Sequence, residues 1–335
     1  MMQELPLIWA GIIAFGVLAY VVLDGFDLGI GMLFPFLRTK PQRDRAMSSV
    51  APVWDGNETW LVLGGAGLYG AFPLAFSILL SALYVPMVAM LIGLILRGVA
   101  FEFRGRTERL RFVWDWSFAG GSALAAFAQG IALGALVQGI PVEGRAYAGG
   151  WYDWFTPFSV FTGAALMTGY GLLGATWLIM KTDGDLQRRA YGLAWLLAPA
   201  LVAMIGGVSL WTPFLHEHYM ARWFAWPAIL YTAAVPLLTL LCVVRLGLGL
   251  RARRQAEPFL AALGLFVLCY AGLGISLAPY VVPHEVTIAE AASAGLSLHF
   301  MLIGTLILLP IILAYTGFAY WVFRGKVRAD EGYDH

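Results

Sequence analysis

The polarity pattern of the chain consists of long apolar stretches separated by short polar connections. A helix needs about 20 apolar residues to cross the roughly 30 Å hydrocarbon core of a bilayer, and nine segments are long enough. We expect transmembrane helices over residues 7–36, 50–72, 74–101, 114–140, 155–181, 189–212, 224–250, 258–282 and 294–323. The pattern therefore predicts an all-α, polytopic membrane protein in which residues 1–335 form one integral membrane domain.

Composition agrees with a membrane location. Hydrophobic residues make up 60% of the chain and charged residues 12%, against about a half and a quarter in soluble domains. The net charge of +1 provides no basic field that would attract nucleic acid. Both cysteines, Cys242 and Cys269, fall inside apolar segments, where they behave as small hydrophobic residues.

Basic residues alternate between the connections. Of the 21 Lys and Arg residues, 18 follow spans one, three, five and seven or lie in the tail, which includes Arg328. The other side holds Arg145 and Arg222, and Arg97 lies near the end of span three. Because basic connections stay in the cytoplasm, we expect the N-terminus outside and the C-terminus in the cytoplasm.

Two carboxylates stand inside span one. Asp24 and Asp27 are three residues apart, so they share a face of the helix. Gly25 and Gly29 let another helix approach this region closely. The carboxylates are therefore expected to face protein rather than lipid.

A second acidic pair opens span two, where Asp55 and Glu58 have the same spacing. Spans one and two are antiparallel neighbours, so the two acidic pairs are expected to meet at a similar depth. The polar residues expected to support these acids are Trp54, Asn57, Arg97 and Glu102.

Two interpretations of these acids are open. An ionised side chain near the bilayer centre costs at least about 2.5–3.5 kcal/mol, so each acid must be paired, protonated or hydrated. In the first interpretation Asp55 leads a cytoplasmic proton path, whose members are Asp55, Asp24, Asp27 and Glu58. In the second, which we favour for the other three acids, Arg97 and Asn57 hold them in fixed interhelical pairs. Glu102 is a weak candidate beside the surface arginines.

The histidines indicate what this chain does not bind. A haem in a membrane bundle needs an axial His or Met that faces the interior. Of five histidines only His299 is expected within a span, and the others are His216, His218, His284 and His335. A lone histidine in a span is more often a packing residue than a ligand, and the His216–His218 pair lacks zinc-site spacing. We predict no catalytic residue and no tightly bound metal or haem on this chain.

Three linked motifs carry a family resemblance. Leu23–Gly31 (LDGFDLGIG), Ala51–Trp60 (APVWDGNETW) and Arg97–Arg104 (RGVAFEFR) closely resemble subunit II of the cytochrome bd-type quinol oxidases. The resemblance extends to the last span, which contains Leu309–Pro310 and Tyr320–Trp321. The short length and the Leu23 that precedes the Asp-Gly-Phe-Asp motif are similar to the cyanide-insensitive branch.

The resemblance implies a haem-free subunit of a heterodimer in the bacterial inner (cytoplasmic) membrane. Each large subunit would form two four-helix bundles plus one peripheral helix. Two haem b and one haem d would belong to subunit I, and a structural quinone, lipids and small accessory membrane subunits are further expected partners. The complex would oxidise quinol and reduce oxygen to water with cytoplasmic protons. By its position in the matching motif, Asp55 is the residue most strongly expected to take up protons, and Asp24 and Asp27 are the next candidates.

Two other classes compete with this interpretation. A proton-coupled secondary transporter should show broken helices around a midplane site and usually an inverted repeat, and the sequence shows neither. A purely structural scaffold subunit would have the same composition, with its acids locked in static pairs. Asp55→Asn distinguishes the two roles, since it should slow turnover if Asp55 carries protons.

Overall fold

The computed structural model describes residues 4–327 of the chain. Within that range eight helices are long and apolar enough to span a membrane, so the predicted all-α membrane class is confirmed. Arg328 and His335, which the sequence analysis assigned to the cytoplasmic tail and to the histidine set, lie outside the described residues.

The helices have the following bounds: α1 (Leu5–Leu33), α2 (Lys40–Ser48), α3 (Trp54–Ala71), α4 (Pro73–Ala82), α5 (Tyr84–Arg104), α6 (Arg111–Gln138), α7 (Pro157–Lys181), α8 (Gly184–Trp211), α9 (Glu217–Phe224), α10 (Ile229–Thr232), α11 (Ala234–Arg251), α12 (Glu257–Leu277), α13 (Ile288–Ala291) and α14 (Gly295–Val322). Short 3-10 turns follow α1 and α8, at Phe34–Phe36 and Thr212–Phe214. Strands β1 (Val142–Glu143) and β2 (Ala146–Tyr147) form one antiparallel hairpin, and β3 (Tyr280–Val282) and β4 (Val286–Thr287) form another.

The connections gather on two opposite faces. One face carries α2 and the short turns after α5, α7 and α11, and we call it the Arg-rich face. Both hairpins, α9, α10 and α13 lie on the other, which we call the hairpin face. Arg45 of α2 pairs with Asp183 at 2.6 Å on the first, and the Ser293 N–H donates to the Ala71 carbonyl at 2.8 Å on the second.

Helix α1 lies at the centre of the fold. It is about 43 Å long at 1.5 Å per residue and packs against α3, α6 and α7. Tyr270 of α12 donates a hydrogen bond to the Ala14 carbonyl at 2.8 Å, and the Trp9 indole donates to Leu298 of α14 at 3.0 Å. Because neighbours surround α1, the acids on it are enclosed by protein.

Glycines allow α7 to approach α1 closely. A Cβ added at Gly29 would collide with the carbonyl of Tyr170 and approach the backbone of Gly174 at 2.9 Å. A Cβ added at Gly25 would lie 2.6 Å from the Tyr170 ring. The prediction that a helix packs tightly at these two glycines is therefore confirmed, and α7 is that helix.

The third predicted span is wrong as a single helix. Residues 74–101 were expected to be continuous, but α4 and α5 are separated at Leu83, which has φ −107° and ψ 17°. Pro86 lacks a backbone N–H, and its ring crowds the carbonyl four residues earlier. The helix therefore ends before Leu83 and restarts after it.

Prolines also shorten spans seven and eight. The predicted span 224–250 is divided into α10 and α11, because Pro236 crowds the carbonyl of Thr232, where α10 ends. Helix α12 ends at Leu277, five residues before the predicted end of span eight. Pro279 follows that end, and the chain continues into β3.

Candidate functional site: a buried cluster around Arg97

Three helices bring five polar side chains together near the Arg-rich face. Their residues are Asp24 and Asp27 on α1, Asn57 and Glu58 on α3, and Arg97 on α5, and we call them the Arg97 cluster. Both aspartates and the arginine are 0% exposed. The cluster is therefore enclosed by the protein except where Glu58, with 26% of its side chain exposed, reaches its edge.

Arg97 links three helices through two carboxylates. Its Nη1 donates to Asp24 Oδ1 at 2.6 Å, and its Nη2 forms an ion pair with Glu58 Oε1 at 2.9 Å. Charge-assisted contacts of this kind are stronger than those between neutral groups. These are interhelical pairs of the kind that the second interpretation of the sequence proposed.

Asp27 is bonded to an amide instead of a cation. Asn57 Nδ2 donates to Asp27 Oδ2 at 2.7 Å and to the Leu23 carbonyl at 3.2 Å. The Tyr320 hydroxyl on α14 donates to Asn57 Oδ1 at 2.9 Å. Among residues 4–327 no Lys or Arg forms an ion pair with Asp27.

Several buried polar atoms in and around the cluster lack partners. Within the described part of the chain, the atoms without a hydrogen bond are Asp24 Oδ2, Asp27 Oδ1, Glu58 Oε1, Arg97 Nε, Arg97 Nη2, Tyr20 Oη and Trp60 Nε1, of which Glu58 Oε1 and Arg97 Nη2 form the ion pair described above. An unsatisfied buried donor or acceptor costs about 1–3 kcal/mol, and most native buried groups avoid that cost.

Trp54 covers the buried cation. Its ring stacks on Phe101 with centroids 4.7 Å apart and planes at 4°, and Arg97 Cζ lies 5.9 Å from the Trp54 ring centroid. A guanidinium over an aromatic face gains a cation–π attraction. Trp54 thus supports Arg97 instead of contacting the carboxylates.

Asp55 does not join the cluster, so the expectation that both acids of span two meet those of span one is wrong for this residue. Asp55 is exposed, and its carboxylate has no hydrogen bond or ion pair within residues 4–327. Asn57 faces α1, and Asp55 stands two residues away, about 200° around the helix. Glu102 is also outside, 58% exposed and 4.0 Å from Arg106.

A second set of charges lies at the surface of the Arg-rich face. Arg104 contacts Asp115 at 2.6 Å and Asp44 at 2.7 Å. Arg43 contacts the other oxygen of Asp115 at 2.8 Å, and Lys40 lies 3.9 Å from Asp44. We call these five residues the Arg104 network, and they join α2, α5 and α6.

Three histidines meet on the hairpin face, a grouping that the sequence analysis missed. The His284 ring centroid lies 4.6 Å from that of His216 and 5.2 Å from that of His218. Burial lowers the pKa of His284, and the two neighbouring histidines lower it further. His284 is far from His216 and His218 in sequence, so the spacing of histidines along the chain does not predict that the three meet.

The described histidines do not fit a haem ligand set. The three on the hairpin face belong to connections, and His299 is exposed on the surface of α14. A haem within a bundle needs axial ligands that face the interior. Among residues 4–327, no group of three or more His, Cys, Asp or Glu is arranged to hold a metal ion.

Tyr320 is the site residue that sequence reasoning did not select. A tyrosine near the end of a span is typical of the aromatic belt at a membrane surface, so its residue type carries no separate signal. The one indication in the sequence was that Tyr320 belongs to the Tyr320–Trp321 pair, which is part of the family resemblance. Its contact with Asn57 spans 263 positions of sequence and depends on tertiary packing.

Comparison with known proteins agrees with the motifs. The sequence profile of the cytochrome bd terminal oxidase subunit II family matches residues 5–323. The chain is 28% identical to cytochrome bd-I ubiquinol oxidase subunit 2 of Escherichia coli K12, over 98% of this chain and 97% of that protein. It is 30% identical to cytochrome bd ubiquinol oxidase subunit 2 of Bacillus subtilis 168, over 98% and 99%.

The fold has a counterpart among solved structures. A chain of the bd oxidase from Geobacillus thermodenitrificans superposes with a TM-score of 0.75, and the match covers 96% of this chain and 99% of that one. At 21% identity this match bears on the fold alone. The family match over nearly the whole chain shows that this protein belongs to the cytochrome bd terminal oxidase subunit II family.

Proposed function

We propose that this chain is the haem-free subunit of a quinol:oxygen oxidoreductase, where it stabilises the haem-bearing subunit I and contributes carboxylates to a cytoplasmic proton-uptake route. Its relatives are subunit 2 of bd-type ubiquinol oxidases, which implies a subunit I partner. The observation that carries the proton role is the charge imbalance of the Arg97 cluster. One buried cation faces three carboxylates there.

Charge balance argues that the cluster holds at least one transferable proton. Arg97 carries one positive charge and pairs with both Asp24 and Glu58, so it compensates only one of their two negative charges. Asp27 is equally buried and has only an amide as its described partner. An uncompensated charge at membrane depth costs several kcal/mol. A carboxyl group that carries a proton avoids this cost and can deliver that proton when a neighbour accepts it.

Asp55 is proposed as the point where protons enter. It stands three residues before Glu58 on α3 and is exposed, whereas Glu58 is partly exposed and contacts Arg97. A route from Asp55 through Glu58 to the buried aspartates would proceed from surface to interior. The Asp55 carboxylate has no described partner on its own chain, so it is available to exchange protons with the cytoplasm or with a group of subunit I beside it.

The haems are proposed to belong to subunit I. The family name implies haem in the complex, and the described histidines here do not fit an axial pair. The isolated chain would therefore not be catalytic. A structural quinone, bound lipids and small accessory membrane subunits complete the proposed set of partners.

The proposed topology has nine spans. Helix α3 would be the ninth, because its 18 residues extend about 27 Å although its polar first turns lower its mean hydropathy. The two four-helix bundles would be α1, α3, α5 and α6, then α7, α8, α11 and α12, with α14 peripheral. The contacts of α1 with α3, α5 with α6, α7 with α8 and α11 with α12 lie within the two bundles, and α1 and α6 join the bundles through their contacts with α7. The Arg-rich face would lie in the cytoplasm of a bacterial inner membrane, with the N-terminus outside.

The first experiment is to purify the tagged chain from membranes together with its native neighbours. We expect a haem-bearing subunit to co-purify, with haem b and haem d bands in the reduced-minus-oxidised spectrum and no haem on this chain after separation. A haem-free chain that purifies alone would contradict the proposal.

The proton role is tested in that complex with Asp55→Asn. We expect normal assembly and haem content but oxygen consumption slowed at least about tenfold. General acid–base catalysis by one positioned side chain typically raises a reaction rate by about 10²–10⁴-fold. Asp185→Asn is the matched control, because Asp185 is 76% exposed on the same face and, among residues 4–327, pairs only with the neighbouring Arg188. Equal activity in the two variants would favour a purely structural role, which the Arg97 pairs also support.

A further inference from the structure

A chain of hydrogen bonds connects α14 to the most isolated carboxyl group of the Arg97 cluster. Tyr320 donates to Asn57 Oδ1 at 2.9 Å, and Asn57 Nδ2 donates to Asp27 Oδ2 at 2.7 Å. The same Nδ2 donates to the Leu23 carbonyl at 3.2 Å. Three helices, α1, α3 and α14, therefore meet in one amide group.

The geometry fixes the orientation of that amide. If the Asn57 side chain were flipped, its oxygen would face two acceptors, Asp27 Oδ2 and the Leu23 carbonyl, and both contacts would become repulsive. The Tyr320 hydroxyl occupies the remaining side, where its proton reaches the amide oxygen. The two acceptors on α1 therefore set the orientation of the amide, and Tyr320 completes it by donating to the amide oxygen while Nδ2 donates to Asp27 and to the Leu23 carbonyl.

A donor to the amide oxygen also strengthens the amide as a donor. Hydrogen bonds in a chain polarise one another, and the effect grows in a medium of low dielectric constant. Asn57 is 1% exposed, so water does not screen this polarisation. A carboxylate that receives a stronger N–H bond is stabilised in its ionised form.

We propose that Tyr320 is a positioning residue for Asp27, acting through Asn57 to set how readily this carboxyl group releases and recovers a proton. The inference rests on the proposed proton role of the cluster and adds to it a residue of the last helix. Tyr320 is hydrogen-bonded to Asn57 and Asn57 to Asp27, so the influence of the hydroxyl passes through the Asn57 amide.

The test uses Tyr320→Phe in the purified complex, with Tyr315→Phe as a matched control. Tyr315 lies on the same helix with 67% exposure, so its hydroxyl should not matter. We expect both variants to assemble with normal haem content. In Tyr320→Phe alone, the pH profile of oxygen consumption should move by about half a pH unit or more, the scale of one hydrogen bond.

Infrared difference spectra report on the carboxyl group directly. The carboxyl band of Asp27 is assigned by its loss in Asp27→Asn, and we expect this band to shift in Tyr320→Phe and to stay unchanged in Tyr315→Phe. A site-specific fluorotyrosine at position 320 keeps the side chain in place and makes its hydroxyl a stronger donor. It should shift the band in the opposite sense, and this variant decides the matter if Tyr320→Phe does not assemble.

An unchanged band in both position-320 variants would overturn the positioning role. Full turnover in Asp27→Asn would instead refute the role of this carboxyl group in the proposed proton route. The two failures are distinguishable because the band position does not depend on turnover.

Discussion

The Arg97 cluster and the Arg104 network are both built around a buried arginine between two carboxylates, yet their surroundings differ. Arg104 contacts Asp44 and Asp115, whose side chains are 30% and 15% exposed, and Arg43 and Lys40 add positive charge. The Arg97 cluster has one cation for three acids, and two of these acids are fully buried.

The difference separates structural pairing from a site with excess acid. Ion pairs at the surface join helices at little cost because water and further charges compensate them. A deep cluster that served only to join helices would be expected to balance its charges, since uncompensated buried charge is strongly destabilising. The excess acid around Arg97 is therefore the basis of the proposed proton role, whereas the charges of the Arg104 network are accounted for by pairing between helices.

The largest expected effect is that of Arg97→Met. Loss of the cation leaves Asp24 and Glu58 without a counter-charge, and breaking a buried pair in this way costs about 3–5 kcal/mol. Arg104→Met should cost clearly less, because Asp44 and Asp115 keep contact with water. Thermal unfolding of the purified complexes measures both variants, and equal losses would remove the distinction between the two regions.

A second comparison lies within the Arg97 cluster. Asp24→Asn should lower stability by about 1.5–3 kcal/mol, because Arg97 loses a charged hydrogen-bond partner. Asp27→Asn should change stability little, since its partner is the neutral Asn57 amide, but should slow oxygen consumption at least about tenfold. Greater destabilisation in Asp27→Asn than in Asp24→Asn would reverse the roles assigned to these aspartates.

Salt should separate the regions by a smaller effect. The Debye length falls from about 10 Å at 0.1 M salt to about 3 Å at 1 M, which weakens partly exposed pairs. The stability lost in Asp44→Asn, expected to be at most about 1 kcal/mol, should shrink at high salt. The loss in Asp24→Asn should persist because that pair is buried. A salt-dependent loss in Asp24→Asn would show that water enters the cluster.

The smallest effect concerns Asp183, which is 63% exposed and pairs with Arg45 near the Arg104 network. The hydrogen bond from Arg45 holds the pKa of Asp183 below its ordinary value of 3.8. A lowered pKa in the folded state means that the stabilisation is present above pH 3.8 and is lost as the pH falls through the lowered value. The stability difference between the parent and Asp183→Asn should therefore vanish under strongly acidic conditions. A difference that persisted there would have another cause.

The helices and most residues of the Arg97 cluster could be predicted from the sequence, because apolar stretches and buried acids are local features of the chain. Nine apolar stretches and the spacing of Asp24 and Asp27 can be read from neighbouring residues, and so could the glycines that admit α7. The breaks at Leu83 and Ala233 were missed because mean polarity does not change at those points, although a proline three residues later supplies a local reason for each.

The contacts of the site could be predicted only in part. Arg97 and Asn57 were expected as partners because few polar residues share the spans with the acids. The side of α3 that faces α1 was not predictable from the acidic pair itself, and this placed Asp55 wrongly. Tyr320 and the histidine group depend on contacts between residues far apart in sequence, which no local pattern specifies.

The contact between Tyr320 and Asn57 has a consequence for the order in which the protein is made. Helix α14 is synthesised after all the other described helices, so the Asn57 amide receives its third hydrogen-bond partner only after α14 has entered the membrane. A polypeptide that stops short of α14 also leaves the Trp9 indole without its acceptor at Leu298. Chains without α14 thus keep unpaired polar groups at Trp9 on α1 and at Asn57 on α3, and these groups distinguish them from chains that contain α14.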